Sequence, residues 1–256
     1  MSKLVLYLLM IVLVAISGCA QMDKNEEDSA ASQVRSESVN ISSGNMTFPA
    51  YLVAPAAEGK WPGVVMIHSF NGLEPGYLTL ADQFAGEGYV VIAPQWQNFS
   101  KTPGDETVGR LIENCSAFLK ERADVNSDMM GLTGFCAGGR YTMLFLPQMN
   151  DTFNSGVAWY GFPYSGGFLN QSMPADSVSL LDDPMLIIHG TYDVPSKISD
   201  IYRYAEELNA TGKYFEMKVY QGEPHGFMIK DGQLSESFAA GDAFWQMVSF
   251  FDRTLK

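Results

Sequence analysis

The pentapeptide Gly-Phe-Cys-Ala-Gly at 134–138 constrains the fold of this chain more than any other feature. It stands between an apolar run and a second apolar stretch, 141–146, that is typical of a buried helix. A strand, a sharp turn and a helix in this order form a nucleophile elbow, with Cys136 where Gly-x-Ser-x-Gly enzymes carry serine. The turn strains the backbone, and strand and helix approach too closely for side chains at Gly134 and Gly138.

The position of Cys136 has a chemical consequence if the elbow forms. The thiol then lies at the N-terminus of the following helix, where the helix dipole and free N–H groups favour a thiolate and, later, an oxyanion. A second interpretation needs no chemistry, because cysteine is a common small buried residue and Gly-x-x-x-Gly spacing arises by chance. The elbow must therefore be judged by whether the chain carries the partners that a nucleophile requires.

Fully apolar strands alternate with helices over residues 38–256, which predicts one α/β domain with a mostly parallel central sheet covered by helices on both faces. An antiparallel hairpin is expected to open it, with its turn at 43–45. The predicted strands are 38–42, 48–54, 62–68, 89–93, 129–133, 155–160, 185–189 and 214–220. The predicted helices are 78–87, 106–122, the one that ends at Pro147, 196–210 and 236–255.

The N-terminus reads as a targeting signal. Lys3 precedes an apolar segment, 4–16, that is short for a bilayer span. Ile-Ser-Gly-Cys at 16–19 resembles the lipobox of prokaryotic lipoproteins, which implies a signal peptide at 1–18 and lipid on Cys19. The polar stretch 19–37 is then a flexible acidic tether. An uncleaved anchor or an ordinary secretory signal is the alternative, and each of these predicts a domain outside the cytoplasm.

Charge and cysteine content narrow the possible partners. The formal net charge is −13 with no basic stretch, which excludes nucleic-acid binding as a reasonable function. Beyond Cys19, only Cys115 and Cys136 remain, and Cys115 falls in an amphipathic helix and is expected in the core. A disulfide between them would require the elbow and that helix to meet, so we expect free thiols.

Two further residues follow late strands, at the sheet edge where α/β chemistry takes place. Asp193 comes after the strand 185–189, and His225 lies in a Gly/Pro-rich loop after the strand 214–220. The order nucleophile, acid, histidine is the one that α/β-hydrolases use. Asp193 read alone fits a helix N-cap or a turn residue equally well. His68 and His189 end strands and are expected to be structural.

These motifs together resemble the dienelactone hydrolase family, the cysteine-nucleophile branch of the α/β-hydrolases. The resemblance extends from about Val39 to the last helix. It implies an α/β-hydrolase fold and a Cys136, Asp193 and His225 triad that hydrolyses a small ester, lactone or thioester through a covalent thioester. It also implies an oxyanion hole made by the backbone N–H groups of Phe70 and Ala137, with no cofactor.

The chain departs from the family pattern in two places. Ser69 occupies the position of a glutamate that helps to activate the cysteine, and Glu74 is the nearest candidate substitute. The arginines that bind the substrate carboxylate have no clear match, and Arg140 after the elbow is expected to form a structural ion pair. A dienelactone is therefore a doubtful substrate. A fold that binds a ligand without turnover, or a thiol-dependent redox or scaffold role, stays open beside hydrolysis.

Several aromatic residues fall in loops at strand ends and predict either an apolar pocket or packing beneath the loops. They are Phe70, Trp96, Trp159, Tyr160, Phe162, Tyr164 and Phe227.

The stretch 161–179 has the composition of a mobile lid. The histidines are too widely spaced for a predicted metal site. The oligomeric state is left open.

Overall fold

The structure is a computed structural model that describes residues 33–256. The signal peptide expected at 1–18, Cys19 and most of the expected tether lie outside the described residues. Within the described range, no helix is both long and apolar enough to cross a membrane.

Within residues 33–256, eight strands form one sheet in the order β1-β2-β4-β3-β5-β6-β7-β8. Neighbouring strands from β4 to β8 run parallel, whereas β1 and β2 form an antiparallel hairpin that joins the sheet along β4. The predicted mostly parallel sheet with an N-terminal hairpin is therefore confirmed. The strands are β1 Val34–Ser43, β2 Met46–Pro55, β3 Trp61–Ile67, β4 Val90–Pro94, β5 Val125–Phe135, β6 Ser155–Trp159, β7 Met185–Gly190 and β8 Phe215–Tyr220.

Five α-helices cover the sheet, and two helical turns and a small hairpin complete the described fold. The helices are α1 Pro75–Gly86, α2 Asp105–Lys120, α3 Ala137–Phe145, α4 Ile198–Ala210 and α5 Phe238–Leu255. The 3-10 turns are Leu146–Gln148 and Pro174–Leu180, and the small hairpin pairs β9 Ile229–Lys230 with β10 Gln233–Leu234.

The hydrophobic core has two parts, one on each face of the sheet. Alternate residues of β3 illustrate the division: Val65 and Ile67 pack with α2, α3 and α4, while Val64 and Met66 pack with α1 and α5. Successive side chains of a strand point to opposite faces of the sheet, and here both faces are buried. The strands are therefore continuous apolar runs in the sequence. The helices α1 and α5 therefore share one side of the sheet and the core beneath the elbow.

The first strand begins earlier than expected. β1 starts at Val34, so residues 34–37 of the predicted tether lie in a strand. Their side chains are largely exposed, and the strand is held by backbone pairing to β2. Arg35 and Glu37 add ion pairs to Asp124 and Arg122. An edge strand stabilised in this way has no alternation of apolar residues, which explains why the start of β1 was predicted at residue 38 and not at Val34.

Candidate active site

The turn at Cys136 has the strained geometry expected of a nucleophile elbow. Cys136 adopts φ 58° and ψ −111°, a conformation that non-glycine residues seldom take. A Cβ at Gly134 would lie 2.2 Å from the Gly138 carbonyl oxygen, and one at Gly138 would lie 2.0 Å from that of Ile67. Both glycines are therefore required by close packing. Gly139 is required for the same reason, since its Cβ would lie 2.3 Å from the Trp159 carbonyl oxygen, a contact that no local pattern of residues indicates.

The half-buried Cys136 connects β5 to α3. Its N–H donates to the carbonyl of Trp159 on the adjacent strand at 3.0 Å, and its carbonyl accepts the N–H of Arg140 at 3.0 Å. These bonds hold the turn from both sides. Ala137 is the first residue of α3, so its N–H has no acceptor within the helix. Cys115 is buried in the α2 core, and both cysteines are free.

The loops after β7 and β8 bring Asp193 and His225 into contact. His225 donates through Nδ1 to Oδ2 of Asp193 at 2.7 Å. The other carboxylate oxygen, Oδ1, accepts the N–H of Ser196 at 2.7 Å, so Asp193 also has the turn role that its sequence position suggested. This carboxylate is buried and accepts two short hydrogen bonds, which hold it in one orientation.

His189 serves as a structural neighbour of this pair, as predicted for it. Its ring lies fully buried, and Nε2 donates to the carbonyl of Ser196 at 2.7 Å. The same nitrogen is 3.4 Å from Oδ2 of Asp193. Burial lowers the pKa of His189, so it stays neutral at physiological pH. The residue therefore adds no charge that would compete with His225 for the carboxylate.

The His225 ring links the acid to the thiol. With Nδ1 turned to Asp193, the opposite side of the ring is left for a hydrogen bond with Cys136. Burial of the ring acts to lower its pKa. The hydrogen bonds to Asp193 and Cys136 and the negative charges of both outweigh it and raise the pKa to about 9. The structure thus brings together the three side chains that the sequence singled out.

A pocket of about 370 Å³ opens over Cys136 and His225. Ser69, Phe70 and Glu74 line it as well, so these predicted residues lie at the same place. Ser69 accepts the N–H of Asn71 through Oγ at 3.2 Å, which stabilises the loop that carries Phe70. The pocket is thus lined by Cys136 after β5 and by residues that follow β3, β6, β7 and β8.

Comparison with known proteins decides the family. The model of the "Dienelactone hydrolase family" matches residues 48–255, which is most of the chain. The chain belongs to the dienelactone hydrolase family. Its members are hydrolases, and a family of hydrolases implies a small-molecule substrate.

Individual relatives of this family member are distant but cover most of it. A protein of Methylorubrum extorquens named "Putative carboxymethylenebutenolidase" is 27% identical, covering 74% of this chain and 71% of its own. "Protein usf" of Aquifex pyrophilus is 26% identical and matches over 80% and 93% of the two chains.

The fold is shared with a solved structure. The "Putative Dienelactone Hydrolase" of Klebsiella pneumoniae superposes with a TM-score of 0.78 over 86% of this chain and 99% of its own, at 24% identity. The sheet and its helices are therefore those of the α/β-hydrolase fold, as expected from the resemblance.

The aromatic residues at the strand ends divide between pocket and core in this family member. Phe70, Tyr160 and Phe162 line the pocket, and Phe162 packs against the His225 ring at 5.3 Å between centroids. Phe70 contacts Phe168 of the 161–179 stretch at 5.0 Å. Trp96, Trp159 and Phe227 are buried in the core, and Tyr164 packs against it beneath Arg203. Both interpretations of these residues are thus partly right.

Arg140 has the structural role predicted for it. Its guanidinium makes two bonds of 2.8 Å to the carboxylate of Asp105 at the start of α2. It also donates to the carbonyls of Ser165 and Ser172, at 2.8 and 2.7 Å. Arg140 therefore ties the 161–179 stretch to two helices and is committed away from the pocket. Whether this stretch moves as a lid stays a prediction.

Sequence reasoning missed Tyr77 as a pocket residue. Its ring is buried where α1 faces the elbow, and its hydroxyl lies within hydrogen-bonding reach of Ser69. An aromatic residue on the inner face of a helix looks like any core residue in sequence, so no signal distinguished it. No cluster of three His, Cys, Asp or Glu side chains suited to a metal ion occurs in residues 33–256.

Proposed function

We propose that this family member hydrolyses a carboxylic ester, lactone or thioester through Cys136, His225 and Asp193, in the manner of a carboxymethylenebutenolidase. The single observation that carries the proposal is the 2.7 Å bond from His225 to Asp193, with His225 and the half-buried thiol of the strained elbow lining one pocket. A nucleophile, a base within reach and a third group that orients the base are the requirements for covalent catalysis.

The proposed chemistry begins with proton transfer. His225 takes the thiol proton of Cys136, and the raised pKa of the imidazole favours this imidazolium and thiolate pair. Asp193 holds the ring orientation and stabilises the imidazolium without accepting its proton. The thiolate then attacks the substrate carbonyl carbon, and the carbonyl oxygen becomes an oxyanion. The backbone N–H groups of Phe70 and Ala137 would bind that oxyanion.

The second half of the reaction regenerates the thiol. When the tetrahedral intermediate collapses, the bond from the carbonyl carbon to the leaving oxygen, or to the leaving sulfur of a thioester, breaks. His225 gives its proton to that leaving group. An acyl thioester on Cys136 remains. His225 next removes a proton from water, whose hydroxyl attacks the thioester. The carbon–sulfur bond then breaks, the acid product is released, and the proton on His225 returns to the Cys136 sulfur.

The pocket lining supports an acyl group of moderate size and apolar character. Phe70, Phe162 and Tyr160 surround the thiol, and Arg140 is engaged with Asp105. The positions past His225 that would bring a substrate-binding arginine hold Met228 and Ile229, and the Met228 side chain is buried. Uncharged esters or lactones with an apolar acyl chain therefore suit the pocket better than anionic ones.

Hydrolysis of p-nitrophenyl acetate and p-nitrophenyl butyrate tests the proposal. Activity should vanish in Cys136→Ala and in His225→Ala and persist in Cys115→Ala, which removes the other buried thiol on the far side of the sheet. Mass spectrometry after brief acid quenching should find the acyl group on the peptide that contains Cys136. Full activity in the first two variants would contradict the triad.

A second candidate function is ligand binding without turnover. The observation that favours it is Ser69, which occupies the glutamate position and cannot accept a proton at neutral pH. Stoichiometric labelling of Cys136 by iodoacetamide, without hydrolysis of any ester tested, would select this candidate.

We also propose that the protein is exported and anchored by lipid at Cys19. The support is the apolar segment 4–16 and the lipobox-like residues up to Cys19, which lie outside the described residues. Cells given an alkyne analogue of palmitate should label the wild type and Cys115→Ala, but not Cys19→Ser. Equal labelling of Cys19→Ser would rule this anchor out.

A further inference from the structure

Two tyrosines line the pocket that contains Cys136. Tyr160 follows β6 and Tyr77 belongs to α1, and both side chains are buried. The Tyr160 hydroxyl has no hydrogen-bond partner of good geometry among the described residues. A buried hydroxyl without a partner is unfavourable, so its presence beside a reactive thiol requires an explanation.

The backbone holds Tyr160 in place despite strain. Its φ is 36°, a value that a bulky residue rarely takes, and its N–H donates to the carbonyl of Ile188 at 2.8 Å. The ring packs edge-on against His225, with 5.1 Å between centroids. Backbone strain is typically retained at functional sites, so a strained tyrosine beside His225 indicates a role in the site and not only packing in the core.

Tyr77 lines the same pocket as Cys136 and lies beside Ser69, the residue at the position of the family's glutamate. Its hydroxyl lies within reach of Ser69 and close to the Tyr160 hydroxyl. Burial raises the pKa of both phenols, and the nearby charge of Cys136 raises them further. Both hydroxyls therefore keep their protons at physiological pH and are hydrogen-bond donors.

We propose that the hydroxyls of Tyr77 and Tyr160 donate hydrogen bonds to the Cys136 thiolate and thereby replace the activating glutamate of the family. The proton of the thiol goes to His225, and the phenols lose none. Their donors stabilise the negative sulfur, because hydrogen bonds to the charged form of a group favour that form. The inference rests on the proposed function insofar as Cys136 is the nucleophile.

The charged and titratable groups around the sulfur come from four parts of the chain. His225 and Asp193 approach from the loops after β8 and β7, and Glu74 from the residue before α1. The tyrosines contribute from α1 and from the end of β6. Among these groups, only a tyrosine can be replaced by phenylalanine so that its hydrogen-bonding group is lost and the net charge of the site stays the same.

The rate of Cys136 alkylation by iodoacetamide between pH 5 and 10 tests this inference. Tyr160→Phe and Tyr77→Phe keep the ring and remove only the hydroxyl. We expect each to label about tenfold more slowly than wild type near pH 7, as for loss of one hydrogen bond to a charged group. The rates should converge near pH 10, where the thiolate forms in every variant.

Tyr204→Phe is the matched control. Tyr204 is also buried with an unpartnered hydroxyl, but it belongs to α4 on the opposite face of the sheet. Its removal should leave the labelling profile unchanged. Thermal unfolding of all variants identifies any that are misfolded, and the pH dependence of ester hydrolysis in the folded single variants then gives a second readout.

The possible outcomes separate this inference from the proposed function. Equal profiles for wild type, Tyr77→Phe and Tyr160→Phe would overturn the inference alone, as would a fall in rate of the same size at every pH. Labelling that fails in the wild type at all pH values would overturn the proposed function, and the inference with it. A shift of the profile to higher pH in the two pocket variants, and not in Tyr204→Phe, supports it.

Discussion

His225 Nδ1 lies 2.7 Å from Oδ2 of Asp193, although the two residues come from different crossovers of the sheet. The carboxylate is fully buried, and the imidazole is mostly buried above it. Because β7 and β8 are adjacent and parallel, the loops after them leave the sheet at the same edge. This pairing fixes which ring nitrogen faces Cys136.

Asp193→Asn should reduce kcat for an ester substrate by about 10³- to 10⁴-fold, as loss of the orienting carboxylate does in other triads. The amide removes the charge that stabilises the imidazolium and permits the wrong tautomer of His225. Stopped assays with p-nitrophenyl acetate measure the effect. Asp182→Asn serves as the control, because Asp182 is exposed and its contacts with Lys213 and Asn150 lie at the surface. Similar kcat values for the two variants would contradict the assignment.

Stability should depend on pH through His225. Its pKa in the folded protein is about 9, above the ordinary value of 6.5, so the protonated ring stabilises the fold. This contribution, on the order of 3 kcal/mol, is fully present below pH 6.5 and is lost as pH rises through 9. Urea unfolding of wild type and His225→Gln should therefore differ more at pH 6 than at pH 10. An equal difference at both pH values would refute this linkage.

Gly138→Ala and Gly241→Ala should act in opposite directions. A methyl group at Gly138 would meet the Ile67 carbonyl oxygen at 2.0 Å, so the elbow must distort and we expect a loss of at least about 3 kcal/mol. Gly241 lies exposed in α5 with nothing within 4 Å of its Cβ position, so alanine should stabilise by about 0.5–1 kcal/mol. Urea unfolding checks both, and a tolerated Gly138→Ala would exclude the close approach.

Arg140→Met should destabilise the fold by about 3–5 kcal/mol, because it leaves the Asp105 carboxylate buried and unpaired. It should also release the carbonyls of Ser165 and Ser172 and open the 161–179 stretch to protease. Limited thermolysin digestion followed by mass spectrometry locates the cuts, since the stretch contains Phe, Leu, Met and Val but no Lys or Arg for trypsin. Arg110→Ala provides the comparison, since its pair with Glu106 is exposed and should contribute only about 0.5 kcal/mol.

Local patterns predicted the elements near the site better than the elements at the edge of the fold. The elbow glycines, Asp193 and His225 stood at recognisable turns after apolar strands, and the structure places each of them at that edge of the sheet. The start of β1 was missed, because an edge strand held by backbone bonds has no apolar alternation. The hairpin β9 and β10 was missed as well, since two-residue strands leave no pattern to read.

Arg140 shows how far the contacts of a side chain can be predicted from sequence. Its structural role could be inferred from its position on the helix after the elbow. Its partners could not, because Asp105, Ser165 and Ser172 reach it only after α2 and the 161–179 stretch have packed against α3.

The sequence by itself determined the class of sheet, the strained turn at Cys136 and the order of nucleophile, acid and histidine, because strand periodicity and glycine sterics act over a few residues. The tertiary structure decided which distant groups surround the sulfur. Tyr77 and Tyr160 line one pocket with Cys136 only because β3, β5 and β6 are adjacent and α1 packs on the elbow's side of the sheet. Such contacts depend on strand order and helix packing, which no local pattern of residues encodes.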